Sequence, residues 1–354
     1  MGTARKRSWS FSRQRSYEYC PRRFYYDYFS WGDQDEKLVN YLRRITTPEQ
    51  LAGLIVHDVL ALWLQQYRQI GIAPVNLQEF ALARYRRSIE QSREFVNTIK
   101  EDRRPSSSGP IFDQDLYREH YFGSLFAGQQ SIIESLQNFE SGSVWEAIRK
   151  TKRKREGEQL WLEVDTNLHE GRWIEADLSL GLGGADGLRI YAVFDFGLKR
   201  DGKLHLYEWK TGRITDKAKA NAKQQMAVYA LWGLANGYAL SEIVSHIVWL
   251  GSADTHFDLE VTDRDLDEVR QLILTQDQLE NSKTVHHATK KRGLNNSFYV
   301  AERDNFPQTD NLRNCARCKY RMLCGFTKAQ LPHRDITLMP LAATPLSDPP
   351  STAP

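Results

Sequence analysis

The sequence predicts a mixed α/β fold of the α+β kind, in which a helical N-terminal part precedes a core built on a sheet. Three observations point there. Apolar residues recur at helical spacing as far as about residue 150. From Leu160 the period becomes two, with Leu160, Leu162 and Val164 alternating with Trp161, Glu163 and Asp165. Asp201-Gly202 then stands between two strand-like runs, a pairing suited to the two-residue turn whose residues both need positive φ.

The elements follow in order. Residues 1–8 carry Arg5, Lys6 and Arg7 without apolar periodicity and read as a flexible basic segment. Thr47-Pro48-Glu49-Gln50 supplies an N-cap, an N1 proline and a capping-box glutamine, and Leu51, Leu54, Ile55, Val59, Leu62 and Trp63 continue at helical spacing, so a helix is predicted over 48–68. A second helix is expected over 76–99, then an exposed loop from Glu101 to Pro110, then helical patterns over 113–150. Strands are predicted over Arg172–Leu180, Leu188–Lys199 and Lys203–Thr211. A helix over Lys217–Asn236 ends at Gly237, a strand covers Ile243–Leu250, and a helix covers Asp263–Asn281. Residues 340–354, rich in Pro, Ser, Thr and Ala, read as a disordered tail.

Composition narrows the function classes. With 41% apolar residues, nine Trp, sixteen Tyr and fifteen Phe, the chain can build a substantial core. Against 48 Lys and Arg stand 45 Asp and Glu, a net +3, so any nucleic-acid surface must be local. No apolar run reaches the roughly 18–20 residues of a membrane span, and Met1–Arg15 has no signal-type hydrophobic stretch, which leads us to expect a cytoplasmic protein with no membrane partner.

The hairpin fixes a register. If Arg200 pairs with Lys203, Asp195 falls opposite Glu208, and two like charges at cross-strand distance are destabilising unless a cation lies between them. Lys210 shares their face, while Phe196 and Trp209 point to the other. Two carboxylates and an ammonium suit phosphodiester hydrolysis, in which Mg²⁺ or Mn²⁺ held by oxygen ligands activates a water and Lys210 offsets developing charge. The plain alternative is a solvated strand face with a cross-strand salt bridge. Gly197–Lys203 also satisfies GxxxxGK, but Leu204 stands where a phosphate-binding loop needs Ser or Thr, and the segment joins two strands, so no ATP binding is expected. The four cysteines form one close set, Cys315-x2-Cys318-x5-Cys324, with Cys20 far upstream. A reducing compartment leaves free thiols, a redox pair or a metal site such as zinc.

Five separated segments resemble the PD-(D/E)XK nuclease superfamily, in particular its RecB-like exonuclease branch, which includes AddB-like and CRISPR-associated four-cysteine nucleases. Gly53-Leu54-Ile55-Val56-His57 is similar to the GxxxH helix. Phe194-Asp195-Phe196 is similar to the metal-binding aspartate strand, Tyr207-Glu208-Trp209-Lys210-Thr211-Gly212 to the (D/E)xKTG strand, and Gln225-Met226-Ala227-Val228-Tyr229 to the QxxxY helix. The cysteine set, with Cys20-Pro21-Arg22-Arg23-Phe24 upstream and Phe306-Pro307 before the triplet, is similar to the branch's 4Fe-4S clasp. Residues from about 70 to 158 align with nothing recognisable.

The resemblance implies a restriction-endonuclease-like core, a mixed central sheet flanked by helices, with a helical insertion and a clasp joining the two ends. Residues 9–330 then form one nuclease domain, its helical part over about 9–150, its core over about 156–285 and its clasp made by Cys20 with 315–324. It implies catalytic Asp195, Glu208 and Lys210, metal ligands His57, Asp195 and Glu208 for Mg²⁺ or Mn²⁺, substrate positioning by Gln225 and Tyr229, and a 4Fe-4S cluster on Cys20, Cys315, Cys318 and Cys324, with zinc the alternative ion. Glu208 replaces the commoner Asp, and Ala192-Val193-Phe194 lacks the usual glycine ahead of Asp195; neither change removes a ligand. Glu163 is not counted among the ligands.

The expected activity is a metal-dependent DNA exonuclease in repair, recombination, CRISPR adaptation or phage defence, acting on DNA with a single-stranded end, with a helicase or other nuclease-complex subunit as the candidate partner. Its rivals are a catalytically silent DNA-binding or scaffold subunit, and an endonuclease or RNase on the same site. Arg149–Arg155, Arg22-Arg23 with Phe24, Tyr25 and Tyr26, and Lys290-Lys291-Arg292 are candidates for a phosphate-tracking, base-stacking channel, although the aromatic run after Cys20 also reads as core.

Overall fold

The computed structural model describes residues 7–70, 76–100, 109–113, 115, 125–150, 159–162, 173–177, 179–185, 187–252, 255–291 and 294–325. Most of the expected flexible N-terminus, the disordered tail, the 101–108 part of the expected loop, and Val164 and Glu163 lie outside the described residues. Within the segment expected to be flexible, Arg7 pairs its guanidinium with Asp277, and Ser8 opens a strand.

Helices dominate the first part, as predicted. Strand β1 (Ser8–Ser10) leads into α1 (Phe11–Tyr19), α2 (Pro21–Tyr28), α3 (Glu36–Leu42) and the short β2 (Ile45–Thr46). Helix α4 (Pro48–Ile70) starts on the expected reciprocal cap, since Gln50 N–H donates to Thr47 Oγ1 and Thr47 N–H donates to Gln50 Oε1. Helix α5 (Leu77–Lys100), β3 (Ile111–Phe112), α6 (Leu125–Ser141) and α7 (Ser143–Lys150) follow.

The main sheet has five strands: β4 (Gln159–Leu162), β7 (Phe196–Arg200), β8 (Lys203–Lys210), β9 (Ile243–Trp249) and β10 (Thr255–Leu259), in the order β10-β9-β8-β7-β4. Between β4 and β7 the chain builds a smaller sheet, in which β6 (Arg189–Tyr191) pairs parallel with β1 and antiparallel with β5 (Trp173–Glu175). Strands β8 and β9 run parallel, joined by α8 (Asp216–Ala235), because a parallel pair needs a long crossover. Helix α8 ends as predicted: Gly237 takes φ +85°, and Tyr238 N–H reaches back to the Gly233 carbonyl. Helix α9 (Asp263–Lys283) opens on a Thr262 cap, and a hairpin of β11 (Thr284–Lys291) and β12 (Leu294–Ala301) precedes the short α10 (Leu312–Ala316).

Two strand predictions need correction. The run Leu188–Lys199 is two strands in two sheets, interrupted at 192–195 where the chain crosses between them. The run Arg172–Leu180 shrinks to β5, because the Asp177 carboxylate accepts from Ser179 Oγ and Leu180 N–H and turns the chain.

Three apolar clusters hold the molecule. On one face of the main sheet Leu204, Leu206 and Ile247 pack under Met226, Val228 and Leu231 of α8 and Val269 and Ile273 of α9. On the other, Phe196, Tyr207 and Trp209 meet Val56, Val59 and Trp63 of α4 and Phe139 of α6. A third cluster joins the chain's two ends, with Phe24, Tyr25 and Tyr26 against Phe306 and Tyr320. The aromatic run after Cys20 is therefore core, and its rings are not available for base stacking.

Candidate active site

The β7–β8 hairpin has the register read from the sequence. Asp201 and Gly202 take φ +51° and +77°, and Arg200 pairs with Lys203 through to Phe196 with Tyr207. The ladder stops one residue short of the expected Asp195–Glu208 pair. There the Asp195 carboxylate, not its backbone, takes the partner: Oδ2 accepts from Trp209 N–H at 2.6 Å. Phe196 and Trp209 face the opposite core as predicted, their rings nearly parallel at 21°. Both carboxylates are deeply buried, each 5% exposed.

Around them the named side chains converge. His57, on α4, places Nδ1 2.7 Å from Asp195 Oδ1. Lys210 Nζ donates to Glu208 Oε1 and to Gln225 Oε1, both at 2.8 Å. Gln225 Nε2 donates to Glu208 Oε1 at 2.9 Å and to Tyr229 Oη at 2.6 Å. Tyr229 Oη lies 2.8 Å from Glu208 Oε2 and 2.6 Å from the Val193 carbonyl. Burial, then the Asp195 charge, pushes the Glu208 carboxyl upward, against the pull of Lys210 and His57. Burial, with Glu208 and Asp195 beside it, likewise raises the Tyr229 phenol well above its ordinary value. The structure thus brings all six sequence-predicted residues of this site together. Trp209 N–H and the Val193 carbonyl were missed, since only the break between β6 and β7 aims them here.

Two glycines let the walls close. A Cβ on Gly53 would meet Thr211 Oγ1 at 2.8 Å, and one on Gly251 would meet the Thr211 carbonyl at 2.7 Å. The residue after Lys210 is therefore gripped from α4 and from the end of β9, which explains the glycine one helical turn before His57.

The four cysteines form a separate feature. Cys20, Cys315 and Cys318 are buried and Cys324 half-buried, and all four line one pocket between the α1–α2 corner and the C-terminal turns. Burial and then neighbouring Cys20 push Cys315 up to about 11. Burial pushes Cys318 up to about 11, and burial with Cys318 close by pushes Cys324 up to about 12. Four converging thiols, of which Cys315, Cys318 and Cys324 are held protonated chiefly by burial, are a donor set that a cationic centre would stabilise.

The basic candidates near this pocket have structural partners. Arg22 Nε donates to the Phe306 carbonyl, and Arg23 pairs with Asp27 and lies over the Tyr19 ring. Lys319 pairs with Asp27, and buried Arg321 donates to the Ala316 carbonyl. The Arg22-Arg23 part of the expected channel is corrected accordingly: the Arg22 guanidinium ties the N-terminal helices to Phe306, and that of Arg23 is engaged within its own segment by Asp27 and the Tyr19 ring. Arg149 is exposed, but the side chains of 150–155 and of 290–292 lie outside the described residues. The GxxxxGK segment spans the β7–β8 hairpin, without a following helix. Among the described residues, no helix is long and apolar enough to cross a membrane.

A family model described as the PD-(D/E)XK nuclease superfamily matches residues 8–325. No curated relative and no solved structure matches the chain.

Proposed function

The chain belongs to the PD-(D/E)XK nuclease superfamily, and from that premise we propose that it is a Mg²⁺- or Mn²⁺-dependent DNA exonuclease of RecB-like type. The observation that carries this reading is the convergence of two buried carboxylates, Asp195 and Glu208, with Lys210, Gln225 and Tyr229 at one end of β8 and His57 against Asp195. The donor set fits a divalent cation, since two close carboxylates at 5% exposure repel one another and oxygen donors suit a hard ion. His57, Asp195 and Glu208 would hold it. When bound, such an ion supplies Lewis acidity to the scissile phosphate and acidifies a water.

The chain's own residues do the rest. Trp209 N–H anchors Asp195, so its other oxygen faces His57. Lys210 carries a cation two residues beyond Glu208, where it orients a nucleophile and offsets charge building on a phosphate. Gln225 and Tyr229 fix both oxygens of Glu208, and Gln225 also holds Lys210 Nζ, so the two act on substrate position through the carboxylate and the ammonium they orient. We further read the four-thiol pocket as holding a 4Fe-4S cluster, with zinc as the alternative, and residues 9–330 as one nuclease domain acting on DNA ends, with or without a helicase partner.

The test is to incubate anaerobically purified protein with end-labelled linear single- and double-stranded DNA, closed circular DNA and RNA, in Mn²⁺ and in EDTA. Loss of linear DNA from its ends, with circles and RNA intact and EDTA arresting the reaction, is the expected result. Cut circles would make it an endonuclease, digested RNA an RNase, and binding without cleavage a scaffold.

A further inference from the structure

On the sheet face opposite Glu208 and Lys210, three adjacent strands carry a group of side chains that the nuclease reading leaves unused. Tyr207 of β8 lies beside His246 of β9, which is opposite Asp258 of β10. Residues two apart on a strand share a face, which adds His205 and His256. His246 Nδ1, His256 Nε2 and Asp258 Oδ1 form a triangle: 2.7 Å from His246 to Asp258, 3.1 Å from His246 to His256 and 3.1 Å from His256 to Asp258.

We infer that this triangle is a binding site for a divalent transition-metal ion, zinc foremost, held by His246 Nδ1, His256 Nε2 and Asp258 Oδ1. Hydrogen bonding alone accounts for it poorly. If both imidazole nitrogens donate to Asp258, two N–H groups face each other. If one imidazole donates to the other, an unprotonated nitrogen faces the carboxylate. A cation removes the conflict on all three edges. Ligands about 2.1 Å from one ion lie about 3 Å apart at right angles and about 3.4 Å apart at the tetrahedral angle, so these atoms can share an ion once the triangle opens by a few tenths of an ångström. Two imidazoles and one carboxylate favour zinc and its transition-metal neighbours over Mg²⁺ or Ca²⁺, which prefer oxygen throughout.

The surroundings fit the same assignment. With an ion on Nδ1, the His246 proton must sit on Nε2, and His205 Nδ1 waits 2.9 Å away to accept it. An outer partner of this kind is what fixes the tautomer of a metal-bound imidazole. Tyr207 stacks on the buried His246 ring at 4.3 Å and 15°, holding its plane. His256 and Asp258 are on the exposed edge strand, so an ion can enter from solvent. Occupancy would staple β10 to β9 without touching the nuclease residues.

The experiment uses the full-length protein with its thiol pocket as isolated and with excess Mg²⁺ present. Zn²⁺ is titrated by calorimetry, and Co²⁺ by absorption, into wild type and His256→Ala/Asp258→Asn. Both substitutions lie on the exposed edge strand, and circular dichroism checks the fold. Wild type should take up one more equivalent of Zn²⁺ than the variant. Its Co²⁺ form should show weak d–d bands with no thiolate charge transfer, and the variant should lose them. His205 is a positioning residue: His205→Ala should weaken Zn²⁺ binding about 10–100-fold, with His205→Gln, whose amide oxygen can accept the same proton, recovering part of the loss. Equal stoichiometry in wild type and the double variant, or cobalt bands of thiolate character that survive in it, would overturn the site.

Discussion

Glu208 is where proton positions matter most. Tyr229 has one hydroxyl proton and two acceptors in reach, the Val193 carbonyl and Glu208 Oε2. If the phenol donates to Val193, Oε2 must carry its own proton, the direction in which burial and Asp195 already push it. A folded pKa raised above the ordinary 4.5 means that metal-free stability is fully present below that value and is lost as pH rises through the raised one. Glu208→Gln should therefore flatten that slope while lowering cleavage by at least about 10²-fold, with Asp195→Ala and Lys210→Ala losing as much. Calorimetry of Mn²⁺ binding in buffers of different ionisation heat should show up to one proton released per ion, fading as pH rises; buffer-independent heats at every pH would remove the assignment. A second expectation concerns Gly53. Adding a methyl there should cost about 1–3 kcal/mol against Thr211, yet in a Thr211→Ala background the same change should gain up to about 1 kcal/mol from helix propensity. Melting curves of the four proteins of this cycle decide it. At this scale Asp195, Glu208 and Lys210 were legible because a two-residue turn converts sequence into register. The partners Trp209 N–H and Val193 carbonyl were not, since they depend on where a strand breaks.

Elements were legible in proportion to their apolar periodicity. Helices α4, α8 and α9 carry caps and long stripes, and their ends fall within about two residues of expectation. Strands β10 and β11 were missed because Thr, His, Asp and Lys dominate them, and β12 because Asn295, Asn296 and Ser297 break its apolar run; α1 to α3, inside the part expected to be helical, were not delimited because much of their apolar surface meets the far end of the chain. That distant packing is ionic as well as apolar. Burial would raise Asp27, but Lys319, Tyr320, Arg23 and Ser16 together hold it below its ordinary value. Burial likewise opposes, and Arg303, the Asp35 N–H and Tyr25 overcome, at Asp33. Depressed folded values give stability that is present above about pH 4 and is lost as pH falls through them. Hydrogen exchange across 16–33 and 303–325 should therefore accelerate on acidification before the main sheet opens. Asp27→Asn should cost about 2–3 kcal/mol at neutral pH and reduce the acid sensitivity. Exchange that quickens first in β8 and β9 would show the clasp to be the more stable part.

At the scale of the whole molecule, polypeptide contacts join segments nearly 300 positions apart. Tyr19 Oη donates to the Asn314 carbonyl and Asn314 Nδ2 donates back to the Tyr19 carbonyl, a sequence separation of 295. Arg22 N–H reaches the Pro307 carbonyl, and Phe24, Tyr25 and Phe29 pack their rings on Phe306. Closing a loop of that length costs on the order of 5 kcal/mol of chain entropy, which these contacts must offset before the thiol pocket between them adds anything. A cluster bonded to all four sulfurs would turn this docking from a fluctuating one into a permanent one, while the sheet and α8, whose cores are separate, would be little affected. The anaerobically purified protein should then be brown, and lose its colour when any one of Cys20, Cys315, Cys318 or Cys324 is changed to Ala. Limited proteolysis of those variants should first cut within 9–30 and 305–325, leaving the hairpin at Asp201 intact. Because the polypeptide contacts remain, the rise in cutting should be partial at neutral pH and complete in acid, where Asp27 and Asp33 also let go. One equivalent of zinc without iron would keep the clasp and change its metal. A colourless wild-type protein with four titratable thiols, cut no faster after any of the substitutions, would mean that the polypeptide contacts alone hold the ends together.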